Sequence, residues 1–179
     1  MLVDISTIDQ ASELAKSTYI LDTNILIFIH RPQIDKQALA GEYSRFLSVL
    51  RDRGCQLIVS TLNLQEALYV IETSCLERYK KSNGYISRKK YRGLTAERQR
   101  VRREQKIFFT QIRQFYEITP ESISEKDMED YTDFNLNHQY DPIDYIVSTH
   151  HSKIGIISDD IDFSYDTNIT VYTKPKMSA

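Results

Sequence analysis

No tryptophan occurs in the 179 residues, and cysteine (two), histidine (four), proline (four) and glycine (five) are all sparse. Each scarcity removes a class of protein. Cys55 and Cys75 form no CxxC pair, so a disulfide framework is not expected and both read as reduced thiols. His30, His138, His150 and His151 form no HxxxH or HxH pair, which argues against a zinc centre. So little Gly and Pro leaves no room for a flexible linker, and a single domain over 1–179 is expected. No apolar run approaches the roughly 20 residues of a membrane-spanning helix. Asp4, Asp9 and Glu13 do not fit the basic-then-apolar opening of a signal peptide, so the expectation is a cytoplasmic protein away from membranes. Neither a GxxxxGK[ST] run nor a GxSxG elbow occurs, which removes the P-loop and serine-hydrolase readings.

What is present is charge, unevenly placed. The formal net charge is -2. Yet Glu77 to Lys106 holds twelve basic residues against Glu77, Glu97 and Glu104, a local excess of nine that leaves the rest of the chain at -11. One arm is basic and the body is acidic.

Along the chain, apolar runs alternate with helical periodicity. Tyr19-Ile20-Leu21 is a short buried strand, and Gln10, Leu14 and Ala15 after Ser6 suggest a helix before it. Leu39, Tyr43, Phe46, Leu47 and Leu50 fall at helical spacing and stop at Gly54, giving a helix from about Asp35 to Arg53. Gln56 to Ser60 is a second strand, followed by a helix from Asn63 carrying Leu64, Ala67, Leu68 and Ile71. Phe115 to Ile118 reads as a third strand, Ser124 to about Asn135 as a polar helix, and Asp141-Pro142 as the opening of another. Ile154 to Ser158 and Thr170 to Tyr172 complete about five strands. Continuous apolar strands separated by helices indicate a parallel sheet covered on both faces, a three-layer α/β/α sandwich.

On that layout four acids fall on one edge. Asp22 ends the first strand, Glu66 and Asp144 each sit one turn into a helix, and Asp160 ends the fourth strand. Ligands in open α/β sheets bind outside the carboxyl ends of the strands. Each acid also has a structural use: Asp22 as a helix cap, Glu66 and Asp144 as reciprocal cap partners of Asn63 and Asp141. Four carboxylates meeting in one crevice must protonate or bind cations, however, and an oxygen-only set suits Mg2+ or Mn2+. Such a site activates water for phosphodiester hydrolysis. Asp162 stands close enough in sequence to join the cluster, while Asn24 and Ser158 supply neutral groups to orient water or a carboxylate.

These segments, Leu21-Asp22-Thr23-Asn24, Ser60 through Glu66-Ala67, Asp144-Tyr145-Ile146-Val147 and Ser158 through Phe163, together resemble the PIN-domain nucleases. The resemblance implies a five-stranded parallel sheet between helices and a Mg2+- or Mn2+-dependent ribonuclease, with Asp22, Glu66, Asp144 and Asp160 at the family's acidic positions and Asp162 at a more variable one. It also implies, through the VapC-type toxins of that family, an antitoxin partner and a homodimer. Two departures stand out: Tyr145 replaces the small residue usual after the third acid, and the basic segment is long for such a toxin. A non-catalytic PIN-like module that binds RNA or protein is the alternative, and the presence of all four acids counts against it. A phosphatase with an aspartyl nucleophile is disfavoured because Asn24 occupies the second acid position of its DxD.

The basic insertion, at about 77–113, is expected to be helical from Thr95 to Phe109. Arg88, Lys89, Lys90, Arg92, Arg98, Arg100, Arg102 and Arg103 are its candidate phosphate contacts, interleaved with Tyr79, Tyr85 and Tyr91 as stacking surfaces for RNA bases.

Overall fold

The computed structural model describes residues 1–6, 17–31, 36–135, 141–160, 162–165 and 168–174. The helix expected around Gln10, Leu14 and Ala15 lies outside them. One six-stranded sheet runs through the molecule: β1 (Leu2–Asp4), β2 (Thr18–Leu21), β3 (Gln56–Ser60), β4 (Glu117–Thr119), β5 (Gly155–Ile157) and β6 (Thr170–Thr173). All pairs are parallel, in the order β1-β6-β5-β2-β3-β4. The strand absent from the sequence-based expectation of about five is β1, a three-residue edge strand whose Leu2 is exposed, so no buried apolar run announces it.

The helices are α1 (Thr23–His30), α2 (Gln37–Asp52), α3 (Thr61–Asn83), α4 (Arg88–Gly93), α5 (Thr95–Phe115), α6 (Glu125–Asn135) and α7 (Pro142–His150). The expected strand at Phe115–Ile118 begins instead at Glu117, because the helical period of Phe108 and Ile112 carries α5 on to Phe115. Gly54 follows α2 with φ +73°, a left-handed conformation that Gly adopts without a Cβ penalty.

Because side chains alternate along a strand, each strand feeds both faces of the sheet. Tyr19, Leu21, Leu57, Val59, Ile157 and Tyr172 pack with α1, α2, α3 and α5 on one side. Ile20, Ile58, Ile156 and Val171 pack with Val147 of α7 and Phe163 on the other. The result is the expected α/β/α sandwich. At its centre Gly155 is pressed by two rings: a Cβ there would meet Tyr19 Cδ1 at 2.5 Å and Tyr172 Cε2 at 2.8 Å.

The basic segment packs back onto the sheet's core. α3 starts at the sheet and continues without a break through Lys80 and Lys81 to Asn83. Gly84, at φ +85°, turns the chain, and α5 returns to place Phe108 and Ile112 in the main core. A satellite cluster of Cys75, Leu76, Tyr91 and Val101 welds the hairpin together. No helix among the described residues is long and apolar enough to cross a membrane.

Candidate active site

The strand order sets β2 beside β5, and the chain leaves the carboxyl end of β2 toward β3 on one side and the carboxyl end of β5 toward β6 on the other. That is the topological switch point where open α/β sheets form a crevice. Asp22 stands there as the residue after β2, and its backbone N–H bonds Ile157 O at 3.0 Å across the gap. A cleft of about 250 Å3 opens at this point, and its walls include Asp22, Asn24, Glu66, Asp144 and Asp160. Four carboxylates distant in sequence therefore face one space.

Each arrives by a different local device. Asp22 is the N-cap of α1, its Oδ1 accepting from Thr23 N–H at 2.5 Å; capping and cleft lining are one role here. Glu66 is free of capping duty. Ser60 caps α3, with Asn63 N–H donating to Ser60 Oγ at 3.0 Å and the Ser60 hydroxyl donating to Asn63 Oδ1 at 2.7 Å. In α7, Asp141 caps by accepting from Ile143 N–H at 2.8 Å and Pro142 occupies the first turn, so Asp144 also turns inward.

Ser158 is the hub. Fully buried, its hydroxyl oxygen receives Asn24 Nδ2–H at 3.3 Å and Asp160 N–H at 2.9 Å. With both donors pointed at it, its single proton goes to Asp22 Oδ2 at 2.6 Å. Asn24 Oδ1 in turn accepts from Asp159 N–H at 3.3 Å, locking α1 to the loop after β5. Asn24 and Ser158 thus act together to orient a carboxylate.

Thr23 carries no mark in the sequence beyond being a hydroxyl beside an acid. Its Oγ1 donates to Glu66 Oε2 at 2.6 Å, tying the second carboxylate to the first. Asp159 faces elsewhere and accepts from Tyr43 Oη at 3.1 Å. Asp162 donates its backbone N–H to Asp160 Oδ1 at 3.0 Å, and its side chain is not among those lining the cleft.

Crowding dominates the electrostatics. Burial raises the Asp22 carboxyl well above its ordinary range, and the charges of Glu66 and Asp160 push the same way against the Ser158 and Thr23 hydrogen bonds. Burial likewise raises Glu66, with Asp141 and Asp160 adding repulsion. Asp144 is raised most strongly, by burial and then by Asp22, Asp141, Glu66 and Asp160. Only 9% exposed, it makes no hydrogen bond within the described residues. A buried carboxylate among like charges with no donor is a group awaiting a proton or a cation.

The donor set suits a hard cation, its charged groups being carboxylates throughout, beside the Thr23 hydroxyl and the Asn24 amide. Among the described residues no three His, Cys, Asp or Glu side chains form a ready-made cage for one ion. Mg2+ rarely asks for one, since it keeps several waters and takes one or two carboxylates together with substrate phosphate oxygens.

No family model matches the sequence, and no curated protein matches it. Among solved structures, a chain of the VapBC2 complex from Rickettsia felis, crystallised bound to a DNA fragment from its promoter, superposes with a TM-score of 0.53. The match covers 87% of this chain and 98% of that one at 16% sequence identity. The fold is PIN-like. At that identity the likeness is one of architecture, and the residues of the cleft speak for themselves.

On this PIN-like scaffold the candidate phosphate contacts divide. Arg88 lies over the Tyr69 ring at 4.3 Å and donates to Thr73 Oγ1 at 3.0 Å; Arg92 grips Glu72 with Nε at 2.6 Å and Nη2 at 2.8 Å. Both are engaged in holding α4 on α3. Arg100 stands 3.7 Å from Glu104. Lys89, Lys90, Arg98, Arg102 and Arg103 are exposed on the arm.

Proposed function

We propose that the chain is a metal-dependent ribonuclease, with Asp22, Glu66, Asp144 and Asp160 as the residues that hold Mg2+ or Mn2+ and bring RNA phosphodiester bonds to hydrolysis. The observation that carries this reading is the buried Asp144 carboxylate, without a donor among the described residues, facing three other carboxylates in one cleft at the switch point of the sheet. When bound, the cation supplies charge neutralisation and a water nucleophile at neutral pH. The protein's own part is orientation: Ser158 and the Thr23 N–H fix both oxygens of Asp22, and the Thr23 hydroxyl fixes one of Glu66. No Ser, Cys or His nucleophile is called for.

The substrate this reading calls for is single-stranded or looped RNA, whose phosphodiester can reach a cleft of about 250 Å3. The VapBC2 structure adds support for a toxin held by an antitoxin, a pairing that extends the proposal to a protein partner. The test is incubation of wild type and Asp22→Asn with total cellular RNA and Mn2+, followed by mapping of new ends. Cleavage in the wild type, abolished by EDTA and lost at least a hundredfold in Asp22→Asn or Asp144→Asn at unchanged circular dichroism, is expected. Undiminished cleavage by either variant puts the chemistry elsewhere; no cleavage by the wild type favours a binding module.

A further inference from the structure

Two helices begin at the carboxylates and leave them side by side. α1 carries Asn24, then Ile27, and ends at its cap residue Arg31; α3 carries Glu66, Val70, Ser74, Arg78 and Lys81 at three- and four-residue spacing, one stripe of its surface. Ile27 and Val70 line the carboxylate cleft and also a second cavity of about 410 Å3, whose walls include Arg31, Ser74, Arg78 and Lys81. The two spaces are neighbours along one groove, acidic at one end and basic at the other.

The basic end is over-supplied with cations. Glu104 of α5 accepts from Arg31 Nη2 and from Arg78 Nη2 at 2.8 and 2.9 Å, with Arg100 Nε 3.7 Å away. Three guanidinium groups on one carboxylate leave two positive charges uncompensated. Among the described residues Arg31 Nη1 is buried without a hydrogen-bond partner, a cost that an additional anionic oxygen nearby would relieve. Glu77 also faces the cavity, but Lys80 holds it at 2.8 Å. A carboxylate shared by arginines occupies the place a phosphate would take, because both present anionic oxygens to the planar guanidinium fork.

We propose that Arg31, Arg78 and Lys81 form a phosphate subsite for the backbone of a single-stranded RNA whose scissile bond lies at the carboxylates, and that Glu104 keeps Arg31 and Arg78 aligned until the strand arrives. The subsite rests on the ribonuclease reading for the identity of its ligand. It relocates the substrate path from the arm's outer surface to the groove beneath it.

Binding of a fluorescein-labelled single-stranded RNA oligonucleotide, followed by anisotropy in EDTA across a salt series, tests the subsite without any turnover. Arg78→Ala with Lys81→Ala is expected to weaken binding at least several-fold and to flatten the logarithmic salt slope by about 0.7 for each phosphate no longer neutralised. Both side chains are exposed enough for the fold to tolerate the change. Arg45→Ala with Lys126→Ala removes the same charge from α2 and α6, and a much smaller loss is expected. Glu104→Gln frees the arginines and is expected to tighten binding. Equal losses in the two double variants, or Arg78→Ala with Lys81→Ala leaving both affinity and salt slope at wild-type values, would overturn the subsite, and weaker binding by Glu104→Gln at an unchanged melting temperature would show that alignment by Glu104 outweighs its competition with the phosphate. Cleavage assays with Mn2+ separate the two ideas: RNA that is cut while binding ignores Arg78 and Lys81 sinks the subsite alone, and RNA that is bound through them but never cut sinks the nuclease alone.

Discussion

Asp22 shows how one side chain serves two ends without compromise. Its Oδ1 takes the backbone donor a helix cap must satisfy, its Oδ2 takes the Ser158 proton, and it still faces the cleft. Ser158 is therefore a sensitive position. Ser158→Ala strands two half-buried donors and removes the hydroxyl that donates to Asp22, and is expected to cost about 1–3 kcal/mol of stability, read by urea unfolding. Asp144→Asn is expected to behave in the opposite way. Removing a donor-less charge from among like charges should stabilise the metal-free protein by on the order of 1 kcal/mol while abolishing cleavage. A metal-free Asp144→Asn that unfolds at lower urea than wild type would contradict that crowding. The four acids were legible in the sequence because each stands at a strand end or in a first helical turn. Thr23 was not, because a hydroxyl beside an acid carries no signature until the α3 carboxylate is brought against it.

The elements were legible wherever burial wrote itself into composition. β2, β3 and β5 are continuous apolar runs because helices cover both their faces, and α2 shows its period in Leu39, Tyr43, Phe46, Leu47 and Leu50. β1 has no such mark, being short, exposed and defined by pairing with β6, a partner almost the whole chain away. Helix starts differ by small steps for a physical reason: Asn63 is a credible cap, and only the structure shows Ser60 caps α3 with Asn63 as its partner. Ser60→Ala is accordingly expected to cost about 1 kcal/mol, and Asn63→Ala to be non-additive with it in a double-mutant cycle. Gly155→Ala forces a methyl against the Tyr19 and Tyr172 rings at the centre of the sheet. The expected loss is about 1–3 kcal/mol in chemical denaturation; a melting temperature at or above wild type would mean that the rings move aside freely.

At the scale of the molecule, charge is sorted rather than balanced, and pH is the variable that exposes the sorting. Asp22, Glu66 and Asp144 are all raised in the folded state, so over that range the folded protein holds more protons than the unfolded chain. Their contribution is complete below about pH 4, near the unfolded carboxylate value, and drains away as pH climbs toward neutrality and beyond. Glu104, Glu121 and Asp127 have the opposite sign, because arginine and histidine partners and nearby hydroxyls hold them low, and their contribution is lost as pH falls. The difference between wild type and Asp144→Asn cancels this second group and isolates the cleft. That difference should be small at about pH 4 and grow in the variant's favour up to about pH 8 without metal. Adding Mn2+ should reverse it at the higher pH, since a bound cation offsets the repulsion only where the carboxylates are charged, and should do little at the lower. Melting curves of both proteins at the two pH values, with and without Mn2+, provide the check. A Mn2+ stabilisation equal at both pH values, or equal in wild type and variant, would separate the metal from these carboxylates and leave the cleft without the cation its crowding calls for.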